Sequence, residues 1–219
     1  MQLETYHMPL EMYVKGRRGE TTIEKHPVLL PHEYFNALYE CQTPAQWAES
    51  IGSQKQLSEF WAHEQHKPWV VHHPGLPLRD VGHSIPAAFH GDDVAVQKNE
   101  KVCVLQWLSL LSRTISWNSR FLYTVLPYQS LVPDVTLPAL LQVLVWSFGW
   151  LMVGEFPPTD PWGNKWECRR RQKLAGKRLA GRFTVVYAGM RADLPFFALC
   201  FKYNSFNMDN LCHRCCGQQ

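Results

Sequence analysis

The stretch "IPAAFHGDDVAV" (residues 85–96) decides how the rest of the chain is read. Small and apolar residues lead into His90, Gly91 and two adjacent carboxylates, Asp92 and Asp93, and apolar residues resume at Val94. Such a run reads as a strand interrupted by acids. Two readings are open. Asp and Gly favour turns, so the acids can mark a solvated reversal of the chain. Alternatively the strand continues, and it carries the carboxylates into a site that needs negative charge.

Working outward, "KVCVLQWLSLLS" (101–112) and "SRFLYTVLPY" (119–128) are further short β-rich runs separated by turns, which suggests an antiparallel meander. The segment 137–153 then reads as a helix, 183–189 ("FTVVYAG") as a buried strand, and 190–204 as a helix entered from Asp193. Upstream, residues 1–30 show little period and "KGRRGE" (15–20) is a polar loop. Helices are expected at 31–42, 43–52 and 53–67. Thr43 is placed to cap the second of these, Pro44 to occupy its first turn and Gly52 to end it.

Three strands, a helix, a strand and a helix form the order in which an RNase H-like fold is laid down. That fold carries one acid on its first strand and a second at the end of its fourth, the places of Asp92 and Asp193. The expected fold class is therefore α/β: a partial RNase H-like core, a mixed sheet with flanking helices, preceded by a small helical N-terminal segment. The expected domains are a helical segment over 1–80, the core over 81–204, and the start of a Cys-rich insertion over 205–219.

Composition fits a globular chain. Of 219 residues, 46% are hydrophobic and 19% charged, and the net charge of +3 is too small to name a partner. Seven cysteines without an N-terminal secretory pattern point to a reducing compartment, nuclear or cytoplasmic rather than secreted. Between Arg120 and Glu155 the only charged residue is Asp134, so residues 136–154 are long and apolar enough to raise a membrane span as an alternative to a core helix.

"HGDD" (90–93), "VWSFGWLMVGEFPPTD" (145–160) and "ADLPFFALCFKYNSFNMDNLCHRC" (192–215) together resemble the DDE-type transposases of the CACTA and KDZ groups. The resemblance covers about residues 85–216 and rests on order and spacing. It implies that Asp92 takes the first acid's place and Asp193 the second's, and that Cys212 and Cys215 take the place of a Cys-x-x-Cys. Asp93 and Ala192 stand where that family has glycines. The family's third acid falls beyond Gln219. The chain therefore reads as a transposase-like protein cut before its third acid, derived from a repetitive element and inactive alone.

What the resemblance implies chemically is divalent-metal catalysis. Phosphodiester cleavage and strand transfer use Mg²⁺ to activate a water or 3′-hydroxyl and to stabilise the leaving oxygen. Mg²⁺ takes hard carboxylate ligands, here Asp92, Asp93 and Asp193. Cys212 and Cys215 have the spacing of half a zinc site, with Cys200, His213 and Cys216 nearby. His63 and His66 are three apart and not the pair of a zinc protease. His90 reads as a packed residue behind the acids.

The run 165–182 holds Lys165, Arg169, Arg170, Arg171, Lys173, Lys177, Arg178 and Arg182 against the single acid Glu167. Such cations contact phosphates, and Trp162 and Trp166 beside them can stack on bases. A solvated loop or a nuclear-localisation patch explains the same charges. No nucleotide-binding glycine loop and no Gly-x-Ser-x-Gly elbow is present, so no small-molecule cofactor is expected. The expected partner is DNA. A non-catalytic DNA- or RNA-binding module is the alternative.

Overall fold

A computed structural model describes residues 3–76, 81–97 and 100–201. The chain begins with an antiparallel hairpin of β1 (Tyr6–Tyr13) and β2 (Thr21–Val28), with Tyr6 opposite Val28 and Tyr13 opposite Thr21. Period-two alternation builds it: Met8, Leu10 and Met12 are buried, while His7, Pro9 and Glu11 face outward. This corrects the expectation of a purely helical N-terminal segment. The first thirty residues are a β-ribbon, and its inward side chains join the same core as the sheet.

Three helices follow at the expected places, α1 (Pro31–Cys41), α2 (Pro44–Ser50) and α3 (Gln54–Glu64). Thr43 and Ser53 each close a capping box, with Gln46 and Gln56 reaching back to the cap nitrogens. A single turn, α4 (Pro68–Val71), ends this region.

The long strand β3 (Ser84–Gln97) pairs antiparallel with β4 (Glu100–Ser109). A short turn of helix, α5 (Ser116–Ser119), precedes β5 (Phe121–Pro127), which pairs antiparallel with β4. The chain then crosses through α6 (Thr136–Val153) and the short α7 (Arg169–Leu174) to β6 (Thr184–Ala192). β6 lies parallel to β3, and α8 (Leu194–Phe201) follows it directly. The sheet order is β5-β4-β3-β6, a mixed α/β sheet with helices on both faces.

Those two faces are separately sealed. Leu140, Val143, Leu144, Phe148 and Leu151 recur at helical spacing along α6 and are buried with Ile85, Phe89, Leu105 and Trp107 of the sheet. Tyr123 fixes the contact by donating its hydroxyl to the Leu140 carbonyl at 2.8 Å. Val185 and Val186, adjacent on β6, belong to different clusters, and the second cluster holds Leu57 and Trp61 of α3. Trp61 donates its indole N–H to the Ser84 carbonyl at 2.7 Å. Among the described residues α6 is the one helix long and apolar enough to cross a membrane, and here its inner stripe is the crossover side of the core.

Candidate functional site

Gly91, Asp92 and Asp93 lie inside β3, opposite Leu105, Val104 and Cys103 of β4. The solvated-turn reading of these residues therefore does not hold, because they belong to a continuous ladder. Alternate residues of a strand face opposite sides, so Asp92 and Asp93 diverge. Adjacency in sequence does not make them two ligands of one ion, which corrects the expectation that both serve it.

The second acid arrives from β6. In the parallel register His90 stands beside Arg191 and Gly91 beside Ala192, so the next positions along the two strands are Asp92 and Asp193. Residues 101 apart in sequence thus come side by side, Asp92 within β3 and Asp193 immediately after the carboxyl end of β6.

Local packing explains the arrangement. A Cβ at Gly91 would lie 2.1 Å from Cζ of Phe196, so only glycine lets the first turn of α8 lie on β3. Asp193 starts that helix, its Oδ1 accepting the Phe196 amide at 2.8 Å. Asp193 therefore has a structural task as helix cap, and the same contact fixes its carboxylate at the junction of β6 and α8.

The electrostatics are those of acids with cations nearby but, among the described residues, no ion pair to any of them. The Asp93 carboxyl is pushed up, first by burial, while Lys101 opposes the shift and Asp193 and Asp92 add to it. Its Oδ1 is buried with no hydrogen-bond partner among the described residues. Lys101 is two positions along β4 from Cys103, the pair of Asp93, so it is a diagonal neighbour on the same face. The His90 imidazole is pushed down, first by burial, then by Arg120, with Asp92 working in the opposite direction, Arg191 lowering it and Asp193 raising it. The charge of Asp193 is thus felt at His90 and at Asp93, on either side of the strand. Behind Asp93, burial and the carboxylates hold the Cys103 thiol up at about 12, so it is not a nucleophile.

Asp92, within β3, and Asp193, at the junction of β6 and α8, supply hard oxygen ligands, which suits Mg²⁺. Among the described residues no group of three or more His, Cys, Asp or Glu is arranged to hold a metal. The pair is thus a two-carboxylate site at most. Cys212 and Cys215 lie outside the described residues. His63 is engaged locally, its Nδ1 2.9 Å from Glu64.

The basic run divides into two kinds of cation. Arg171 is buried, its Nε donating to Glu33 Oε1 at 2.6 Å and one terminal nitrogen to Glu33 Oε2 at 3.3 Å. Its guanidinium also packs over Tyr6 and Trp166, at 5.5 and 5.2 Å from the ring centroids. Arg170 is half-buried and lies 3.4 Å from the same carboxylate. Arg171 is therefore withdrawn from any phosphate, and Trp166 from any base, since its indole is buried and donates to the Pro157 carbonyl at 2.9 Å. Lys165, Arg169, Lys173, Lys177, Arg178 and Arg182 are exposed, as is Trp162. Arg178 lies 3.8 Å from Glu155.

Sequence reading missed Glu33, because its partner Arg171 is 138 positions away and no local pattern links them. It also missed Arg120 and Arg191, which only the strand pairing brings beside His90. No family model, no curated protein and no solved structure matches this chain.

Proposed function

We propose that this chain is a transposase-like, nucleic-acid-processing core of RNase H-like topology, in which Asp92 and Asp193 bind one divalent cation. The observation that carries this reading is the parallel β3·β6 register, which runs Gly91 beside Ala192 and so sets Asp92, within β3, next to Asp193, just past the carboxyl end of β6. Ligands of open α/β sheets gather outside the carboxyl ends of strands, where Asp193 stands. The strand order β5-β4-β3-β6, with the parallel strand delivered by the α6 crossover, supports the same topology.

A bound Mg²⁺ would polarise a phosphoryl oxygen and lower the pKa of a coordinated water. The chain's own residues hold and shape the site. β3 and β6 fix the two carboxylates, the Gly91–Phe196 contact sets their spacing, and Arg120 and Arg191 sit on the flank where a phosphate's charge needs balancing. Two carboxylates leave most of the octahedral shell of Mg²⁺ to water. The ion is therefore held weakly, and the chain does not cleave nucleic acid by itself.

The test is calorimetric titration with Mn²⁺ and Mg²⁺. The unaltered chain should bind one ion, and Asp92→Asn or Asp193→Asn should each abolish the heat. Asparagine still caps α8, so the second variant keeps its fold. Binding that survives both substitutions refutes the proposal. A second reading, a non-catalytic DNA- or RNA-binding module, is favoured by the six exposed cations of 165–182. On that reading both variants retain nucleic-acid affinity and Mg²⁺ has no effect.

A further inference from the structure

A groove of about 960 Å³ lies between the β1–β2 turn and the free end of the β3–β4 hairpin, away from the 165–182 run. Lys15, Arg17 and Arg18 of the turn form one bank and Lys101 stands on the other, with Glu100 the single carboxylate in the lining. Lys15, Arg18 and Lys101 make no ion pair among the described residues. Arg17 pairs with Glu20 at 3.1 Å, but both side chains are more than half exposed, so the pair is readily exchanged for another anion.

The turn that carries these cations is ordered by its own backbone. Val14 N–H donates to the Glu20 carbonyl at 3.0 Å and Arg17 N–H to the Val14 carbonyl at 3.1 Å. Gly16 and Gly19 both take φ of +80°, the left-handed conformation that lets so short a turn close. Three positive side chains are thereby gathered at one place instead of being spread along a flexible loop. Half-buried Tyr13 and exposed Pro127 add apolar wall to the charged banks.

We propose that this groove binds single-stranded nucleic acid, its cations meeting phosphates and Tyr13 stacking against an unpaired base. Positive banks with an aromatic platform are what such strands require. The volume accepts a drug-sized ligand, roughly one or two nucleotides. Lys101 ties the groove to the acids, because it lies diagonally across the ladder from Asp93. A strand leaving the groove along β3 runs toward Asp92. The ligand class rests on the nucleic-acid reading above; the groove itself rests on its own geometry.

Fluorescence anisotropy with a labelled oligo-dT, in EDTA, tests the proposal independently of any metal. Four phosphate contacts predict a log–log salt slope near −3, at about 0.7 per contact for a single strand. Lys15→Ala, Arg17→Ala and Arg18→Ala together should reduce that slope by about 2 and weaken binding at least about tenfold at 0.1 M salt. All three side chains are exposed, so the fold is unaffected. An abasic chain of equal length should bind about tenfold more weakly, since stacking contributes roughly 1–3 kcal/mol per base. The Asp92→Asn, Asp193→Asn double variant should bind as the unaltered chain does. If that variant loses Mn²⁺ but keeps oligo-dT, the groove and the metal site are shown to be separate, as proposed. Undiminished binding by the triple variant, equal binding of the abasic chain, or competition by polyglutamate as strong as by oligo-dT overturns the assignment.

Discussion

Two carboxylate-centred regions of this molecule use their charge in opposite ways. At Glu33, 1% exposed, every oxygen has a cation: Arg171 takes both and Arg170 shares one. Within β3 the carboxylates of Asp92 and Asp93 face opposite sides, Asp193 follows β6 beside them, and no ion pair reaches any of the three among the described residues. The first region is a closed account of charge, and it locks α7 against α1. The second is left open, with one Asp93 oxygen buried and without a hydrogen-bond partner among the described residues. Charge that stabilises a fold is satisfied within it, whereas charge meant for a ligand is held rigid and unsatisfied. The eight-cation run makes the same point. Its count suggests a surface for phosphates, yet its central arginine serves the interior.

The comparison is broken most directly at Glu33. Glu33→Gln leaves the Arg171 guanidinium buried without a counter-charge and should cost about 3–5 kcal/mol in urea denaturation. The pair replaced together by Gln and Met should recover much of that loss, because the buried charge is then gone. A cost below about 1 kcal/mol would mean that water reaches Arg171 and that the closed account is wrong.

A second break comes from pH, beside the same node. His32 is fully buried, and its pKa is pushed down to about 3 by burial and then by the charge of Arg171. Its Nδ1 lies 2.8 Å from the Ser147 hydroxyl, which also accepts the His32 backbone N–H. Burial disfavours the imidazolium, so the ring is neutral. A depressed histidine pKa means that the unfolded state binds the proton more tightly. Stability is then full above the unfolded value of about 6.5 and falls as pH drops toward 3. At pH 5.5 the loss from this one group is about 1.4 kcal/mol. His32→Asn should flatten that part of the pH profile in urea denaturation, and an unchanged profile would show that the ring reaches solvent.

The smallest effect is expected at the open region. Asp92→Asn removes a carboxylate with no hydrogen bond or ion pair among the described residues, so metal-free stability should change by no more than about 0.5 kcal/mol. A loss of 2 kcal/mol would show that Asp92 is a structural residue like Glu33.

Much of this was legible in the sequence. The long, nearly uncharged run between Arg120 and Glu155 gave α6, and Thr43 and Pro44 gave the start of α2. The placement of Asp92 and Asp193 on neighbouring strands followed from element order alone. Other features were hidden. The β1–β2 ribbon alternates at Met8, Leu10 and Met12, but Pro9 and Pro27 disguise it, tolerated because neither strand has a second neighbour. The opposite facing of Asp92 and Asp93 depended on whether the strand continued through them. Gly91 reads as a turn residue, and only the ring of Phe196, 105 positions later, explains it.

The central claim is that Asp92 and Asp193 share one cation, and anomalous scattering from Mn²⁺-soaked crystals tests it most directly. The account predicts a single peak between β3 and β6 within bonding distance of a carboxylate oxygen from each residue, absent in Asp92→Asn crystals. A map with no peak there, or a peak on Asp93 with neither of the other two, would contradict it.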